Sequence, residues 1–150
     1  MDEKFMRKAI ELSALAAAHG NEPFGAVLVK DGKVVWTNEN QIYSESDPTF
    51  HAEAGLIRQF CHKTGITDLS DYTLYSSCEP CFMCSGAMVW SKLGRLVYAA
   101  SNIDLNRILH EDGCECSSIV FENSPCRPEV TAGVLREESV KILENYFSHR

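Results

Sequence analysis

The chain has 150 residues, of which 45% are hydrophobic and 23% charged, a composition typical of a globular protein and not of a disordered one. Lys and Arg number 14 against 21 Asp and Glu, so the formal net charge at pH 7 is −7. Because binding to a polyanion depends mainly on cationic contacts, this balance argues against an extended nucleic-acid surface. No apolar run approaches the roughly 20 residues that span a bilayer, so we expect no membrane segment.

Seven cysteines are a high, odd number for this length: Cys61, Cys78, Cys81, Cys84, Cys114, Cys116 and Cys126. The N-terminal residues 1–4 include two acids and lack the basic-then-apolar order of a secretory signal. Clustered cysteines without an export signal indicate metal ligands or catalytic thiols before a disulfide framework. We therefore expect a cytoplasmic protein. Since no repeat or linker divides the chain, we also expect a single domain over 1–150.

Hydrophobic periodicity and turn residues predict alternating helices and strands. In chain order they are a helix (2–19), a hairpin (24–30 and 33–37), a helix (51–65), a strand (72–77), a helix (81–90), a strand (93–100), a short helix (104–109), a weak strand (119–121) and a helix (135–147). Asp31-Gly32, a dipeptide favoured in type I′ turns, joins the hairpin strands. Strand, helix, strand over 72–100 suggests a parallel crossover unit. We expect an α/β fold, a three-layer α/β/α sandwich around a mixed, roughly five-stranded sheet.

One constellation of residues suits a metal site. His51 begins one predicted helix, and Cys81 and Cys84 lie on the first turn of another. Two thiolates and one imidazole give Zn²⁺ three protein ligands, and its preference for four leaves a position for water, as in catalytic zinc sites. The partial positive charge of both helix N-termini favours thiolate over thiol. We expect one zinc per chain.

Glu53 follows His51 by two residues, and such residues do not share a helix face. We therefore expect Glu53 not to ligate the metal but to lie beside the zinc-bound water. Zinc ligation lowers the pKa of water from about 15.7 toward about 7, within reach of a carboxylate base. This geometry predicts a general base at Glu53.

Other interpretations of these thiols stay open. Cys78 lies three residues before Cys81, so a structural site with four ligands (Cys78, Cys81, Cys84 and His51) fits the spacing. Pro80 and the helix start separate Cys78 from the other two thiols and argue against it. A redox pair of Cys81 and Cys84 is the remaining alternative, although such pairs usually lack an upstream H-x-E.

The H-x-E and P-C-x-x-C patterns match those of zinc deaminases, and over most of its length the chain resembles the cytidine/deoxycytidylate deaminase-like superfamily. The branch of bacterial guanine deaminases and tRNA adenosine deaminases is especially similar. The residues that carry this likeness are Ser77-Cys78-Glu79-Pro80-Cys81, Met83-Cys84, Gly86-Ala87, Gly25-Ala26-Val27 and Asp47-Pro48-Thr49. The resemblance implies replacement of an exocyclic ring amine by a carbonyl with release of ammonia, Glu53 passing protons to the ring nitrogen and the departing amine.

The resemblance also implies substrate contacts. Asn40 stands eleven residues before the zinc histidine, where the family has an asparagine that contacts the base. Ala52 occupies the position of a family residue whose backbone N–H contacts the substrate. Glu79 occupies the position of a residue whose carbonyl lies near the leaving ammonia. Phe24 either walls the base pocket or belongs to the core. Phe50 stands where the family mostly has a small residue, so we expect a reshaped pocket entrance.

The substrate is not fixed by these residues. Residues 23–26 and 98–100 are closer to guanine deaminases, whereas the final helix, with Arg136-Glu137-Glu138, is more like the tRNA enzymes. We expect a purine base or nucleoside as substrate and, from the resemblance, a homodimer. A tRNA wobble-adenosine deaminase, a cytosine-type deaminase and a non-catalytic zinc-binding module are the alternatives.

Two loops, 38–50 and 101–128, shape the pocket in ways the sequence does not determine. The second contains His110 to Cys116, with Cys126 beyond, whose spacing is irregular for a second metal site. We expect a loop that covers the active site and helps to select the substrate.

Overall fold

The structure is a computed structural model that describes residues 1–113 and 115–148. Its elements are α1 (Asp2–Ala18), β1 (Gly25–Lys30), β2 (Lys33–Glu39), α2 (Ala52–Thr64), β3 (Thr73–Cys78), α3 (Phe82–Trp90), β4 (Arg95–Ala100), α4 (Asn102–Leu109), α5 (Ser117–Glu122), β5 (Glu129–Ala132) and α6 (Arg136–Phe147). These strands form one sheet in the order β2-β1-β3-β4-β5. Strand β1 is antiparallel to both neighbours, and β3, β4 and β5 run parallel. The predicted mixed α/β sheet is confirmed.

Helices cover both faces of the sheet. Leu28 and Leu74 point to one face, where they pack with residues of α2, α3 and α5. Val27 and Val97 point to the other face, against α1 and α6. This alternation follows from the two-residue period of a strand. The three layers α/β/α are therefore present.

The hairpin turn is formed as the sequence predicts. Asp31 and Gly32 have φ values of 52° and 72°, so both residues are left-handed. A type I′ turn requires this of its two central residues.

The predicted strand over 119–121 is wrong, because these residues lie in α5. Their β-branched and aromatic side chains favour a strand locally, but Phe121 on one face of the helix packs into the core under the sheet, and this tertiary contact prevails. The last strand is β5, four mostly exposed residues at the sheet edge that the sequence analysis missed.

Helix α4 begins at Asn102, two residues earlier than predicted. Ser101 and Asp104 form a capping box, in which the Ser101 hydroxyl accepts from the Asp104 N–H and the Asp104 carboxylate accepts from the Ser101 N–H, both at 3.0 Å. Within residues 1–113 and 115–148, no helix combines the length and apolarity that a membrane span requires.

Candidate active site

The three predicted metal ligands meet where two helices begin. His51 precedes the first residue of α2, Cys81 precedes that of α3, and Cys84 lies in the first turn of α3. His51 Nδ1 is 3.5 Å from Cys81 Sγ and 3.7 Å from Cys84 Sγ. Tetrahedral Zn²⁺ with bonds of about 2.3 Å to sulfur and about 2.0–2.1 Å to nitrogen places its ligand atoms roughly 3.5–3.8 Å apart. The donor set therefore fits zinc.

A tight turn delivers His51 to this position. The backbone N–H and the hydroxyl of Thr49 donate to Asp47 Oδ1 at 2.9 and 2.7 Å, and the Phe50 N–H donates to the Asp47 carbonyl at 3.0 Å. His51 then adopts an extended conformation, with ψ at 159°, before the helix starts. The residues Asp47-Pro48-Thr49 thus turn the chain into α2 with the imidazole facing α3.

Cys78 does not join this cluster. In the described part of the chain, the group of metal-type side chains that comes together is His51, Cys81 and Cys84. Cys78 is buried in a cluster with Ala100 and Leu143, although it also lines the cavity described below. The four-ligand structural site considered from spacing is not formed.

The charges of the three ligands depend on one another. Hydrogen bonds from the Cys84 thiol and then from His51 lower the pKa of Cys81 to about 4. The same contact with Cys81, together with burial, raises the pKa of Cys84. The bond to Cys81 raises the pKa of His51. Protons held between these groups are the ones a metal ion displaces when it binds.

Glu53 lies beside the ligands without being one of them. It is in the first turn of α2, and its side chain is 6% exposed. Burial, followed by the negative charge of Cys81, raises the pKa of Glu53 to about 7. A carboxyl group that titrates near neutral pH can both take up and release a proton.

A cavity of about 150 Å³ opens next to this cluster. It is lined by Glu22, Phe24, Asn40, His51, Glu53, Cys78, Glu79, Cys81, Asn102, Leu105 and Glu115. The structure therefore brings most of the predicted site residues together. Cys84 is buried behind the lining, and Ala52 is buried at the first position of α2. The N–H groups of a helix's first turn have no partner within the helix, so the Ala52 N–H is free of helical bonding.

Asn40 and Phe24 form one wall of the cavity. Asn40 is buried, and its Oδ1 accepts from the Ile42 N–H at 3.1 Å. Among the described residues, none accepts a hydrogen bond from Asn40 Nδ2, which leaves this donor for a ligand. Phe24 packs against two core clusters and also lines the cavity, so both interpretations of this residue hold.

The Glu79 carboxylate is committed to protein partners. Oε1 accepts from the Asn102 N–H at 3.0 Å, and Oε2 accepts from the Ser117 N–H and hydroxyl at 2.8 and 2.7 Å. Its side chain is therefore not free for a substrate, which leaves the backbone carbonyl for the predicted contact.

Sequence reasoning missed several lining residues. Glu22 and Glu115, two further acidic residues, are among those that line the cavity, and no spacing rule marks them. Glu115 does lie in the loop predicted to cover the site. Phe50 is not among the residues that line this cavity; its ring packs on Gly55, where a Cβ would come within 2.9 Å of the ring, and a reshaped entrance stays a prediction.

A second metal site, which the irregular spacing of this segment argued against, has no support in the described residues. His110, Glu115, Cys116 and Cys126 belong to no cluster of metal-type side chains there. Cys114, the remaining member of that segment, lies outside the described residues.

Comparison with known proteins identifies relatives. Residues 1–100 match the family described as the cytidine and deoxycytidylate deaminase zinc-binding region. The chain is 42% identical over 103 residues to guanine deaminase from Bacillus subtilis, a match that covers 68% of the chain and 66% of that protein, just under two thirds. It is 38% identical over 150 residues to the tRNA-specific adenosine deaminase of Haemophilus influenzae, covering 99% and 84% of the two chains.

Solved structures agree with this assignment. The guanine deaminase from Nitrosomonas europaea superposes with a TM-score of 0.85 at 27% identity, covering 97% of this chain and 84% of that one. A structure from work on tRNA:A34 deaminases superposes with a TM-score of 0.77 at 31% identity, covering 93% and 98%. The chain belongs to the cytidine and deoxycytidylate deaminase zinc-binding family.

Proposed function

We propose that the protein is a zinc-dependent hydrolytic deaminase that converts the exocyclic ring amine of a purine base or nucleoside into a carbonyl and releases ammonia. The observation that carries this proposal is the meeting of the ligand triad, Glu53 and Asn40 at one cavity of about 150 Å³. Zinc held by His51, Cys81 and Cys84 supplies a Lewis acid that activates water at neutral pH.

Glu53 moves the protons of this reaction. Its carboxylate takes one proton from the attacking water and gives it to the ring nitrogen as the C–O bond forms. It then takes the second proton from the hydroxyl on the same carbon and gives it to the departing amine, so that the C–N bond breaks and the carbonyl forms. Glu53 lines the cavity and lies outside the ligand cluster, so its carboxylate serves as a proton carrier and not as a metal ligand.

Four further residues bind and orient the base. The Nδ2 group of Asn40 donates to a ring acceptor, and Phe24 packs against the ring face. The N–H of Ala52 donates to the developing carbonyl oxygen. The backbone carbonyl of Glu79 accepts from the departing amine.

The charge around the cavity favours a free guanine-type base. Glu22 and Glu115 are acidic members of the lining, and the described lining contains no Lys or Arg. A guanine-type ring offers N–H donors that carboxylates accept, whereas phosphate groups are repelled by them. The volume of about 150 Å³ is also well below the roughly 300–1,000 Å³ of pockets for drug-sized ligands, which suits a single base.

A tRNA wobble-adenosine deaminase is the second candidate function. It is supported by the similarity to the Haemophilus influenzae enzyme over 150 residues, which extends through the C-terminal helix. The net charge of −7 and the acidic cavity oppose it, since a tRNA stem-loop requires cationic phosphate contacts.

We also propose a homodimer. Phe82, Met83 and Trp90 lie on α3 with 40%, 37% and 88% of their surfaces exposed, an apolar face on the helix that carries the zinc ligands. Burial of these side chains against a second copy removes them from water. We also regard residues 1–150 as a single deaminase domain and propose a cytoplasmic location for it.

A screen for ammonia release tests the proposed function. Zinc-loaded protein is incubated with guanine, adenine, guanosine, adenosine, cytosine, cytidine and a tRNA anticodon stem-loop, with Glu53→Gln as the inactive control. We expect turnover on guanine above all others. Turnover on the stem-loop alone supports the tRNA enzyme, and turnover on cytosine alone supports the pyrimidine alternative. Zinc-loaded protein that releases no ammonia from any of them is a binding module.

A further inference from the structure

The buried carboxylate of Glu79 joins three segments of the chain. Glu79 follows strand β3 and precedes the zinc ligand Cys81 by two residues. Its two oxygens accept three hydrogen bonds, from the N–H of Asn102 and from the N–H and hydroxyl of Ser117, at 2.7 to 3.0 Å. The end of β3 is thus tied to the starts of α4 and α5.

Asn102 completes the connection toward the cavity. Its side-chain Nδ2 donates to the Pro80 carbonyl at 3.2 Å and to the Glu115 carbonyl at 2.7 Å. The backbone of Glu115, a lining residue of the cavity, is therefore attached to the segment that holds Cys81. Glu79, Asn102 and Ser117 are buried, so solvent does not replace these bonds if they break.

The chemistry of the donors explains why a carboxylate stands here. Asn102 and Ser117 are the first residues of their helices, and first-turn N–H groups lack partners within a helix. A side chain that accepts from N–H groups on two sides needs an acceptor oxygen on each side. A carboxylate has two such oxygens, whereas the amide of Gln has an oxygen on one side and an NH₂ donor on the other.

We propose that Glu79 is a positioning residue that acts through Asn102 and Ser117 to hold Glu115 at the cavity, and thereby sets the affinity of the enzyme for its base. This inference rests on the proposed function, in which Glu115 accepts from the N–H donors of a guanine-type base. Glu79 itself does not touch the base with its side chain. It fixes the position of Glu115 relative to the segment that holds Cys81.

Hydrogen exchange tests the attachment without any substrate. In Glu79→Gln the amide end faces either the Ser117 donors or the Asn102 N–H, and one side of the connection is lost. We expect amide exchange to accelerate about tenfold or more in the peptide that contains Ser117 or in the one that contains Asn102, and exchange in β1 to stay unchanged. Equal exchange in the variant and the parent overturns the proposal.

Kinetics test whether the attachment acts through Glu115. We expect Glu79→Gln to raise the KM for guanine about tenfold, with kcat within about threefold of the parent and zinc content unchanged. The KM of the double variant Glu79→Gln/Glu115→Gln should stay within about twofold of the KM of Glu115→Gln alone. The reason is that Glu115→Gln already removes the carboxylate that Glu79 positions. Asp2→Asn is the matched control, since the Asp2 carboxylate also accepts three side-chain bonds, from Tyr75 and Arg95, away from the cavity.

The outcomes separate cleanly. Multiplicative effects of the two substitutions on KM, or loss of zinc in Glu79→Gln, show a general structural role and overturn the proposal. An equal rise of KM in Asp2→Asn does the same. If the parent protein releases no ammonia from any purine, the proposed function is wrong. The exchange experiment needs no substrate, so it still tests whether Glu79 holds the attachment.

Discussion

Asp104 connects a helix that lines the cavity with the C-terminal helix, and its charge offers a direct test of that connection. The side chain is 5% exposed and accepts from Arg136 Nε and Nη2 at 2.9 and 2.5 Å. It also accepts from the Ser101 N–H within the capping box. These bonds, with that to Arg136 the strongest, lower the pKa of Asp104 to about 2. Asp104→Asn keeps the shape of the side chain and removes its charge.

The loss of stability follows from this pKa. A fall from 3.8 to about 2 at about 1.36 kcal/mol per pH unit corresponds to about 2.4 kcal/mol. Because the Arg136 side chain is 45% exposed, solvent screens the pair, and we expect about 1–2 kcal/mol. A folded-state pKa below the unfolded value gives stability that is present above pH 3.8 and lost as the pH falls toward 2. At pH 3 about half of the contribution remains.

Urea unfolding of the parent and of Asp104→Asn at pH 7 and pH 3, with a chelator present throughout, measures this difference. We expect the variant to be about 1–2 kcal/mol less stable at pH 7, or about 2–8 °C lower in Tm, and the gap to halve at pH 3. Asp71→Asn, an exposed acid, is the control and should change stability little. A gap of the same size at both pH values would refute the assignment of the effect to the Asp104 charge.

Three further predictions concern the site. Cys81→Ala and Cys84→Ala should each abolish the binding of about one zinc per chain, as measured by metal analysis, whereas Cys78→Ala should retain it. Loss of zinc in Cys78→Ala would instead support the four-ligand structural site. Glu53→Ala should keep zinc and Tm but lose about 10²–10⁴-fold or more in ammonia release, while His51→Ala should lose zinc and stability together. Turnover of a small base should change little between low and moderate salt, and a steep fall on a tRNA substrate would favour the wobble enzyme.

The sequence predicts those parts of the fold that local patterns determine. The Asp31-Gly32 turn and the strand–helix–strand unit over 72–100 depend on residues close together in the chain, and both are present. The end of the chain is different. Residues 119–121 favour a strand on their own, yet burial of Phe121 under the sheet makes them helical. Strand β5 has four residues and gains its order from pairing with β4, a contact no local pattern reports.

The residues of the candidate site likewise fall into those that local spacing predicts and those that only the fold brings together. The spacing of the H-x-E and P-C-x-x-C patterns predicts the ligands, because helix geometry fixes how Cys81 and Cys84 lie relative to each other. Glu22 and Glu115 come from loops distant in sequence, and only the folded chain shows that they share a cavity. The role of the Glu79 side chain was hidden for the same reason, since its partners Asn102 and Ser117 lie 23 and 38 residues away.

The choice of substrate therefore depends on the loops and not on the metal centre. In the mechanism that we propose, the zinc ligands and Glu53 activate water and move protons in the same way for any amino-substituted ring, so they do not distinguish guanine from an adenosine in tRNA. Discrimination has to come from groups that contact the rest of the substrate. In our proposal those groups include Glu22 and Glu115 of the described cavity lining, whose negative charge favours N–H donors and repels phosphates. A variant that replaces both with Gln should bind guanine more weakly and tolerate phosphorylated substrates better. In a tRNA enzyme the same two substitutions would produce neither change.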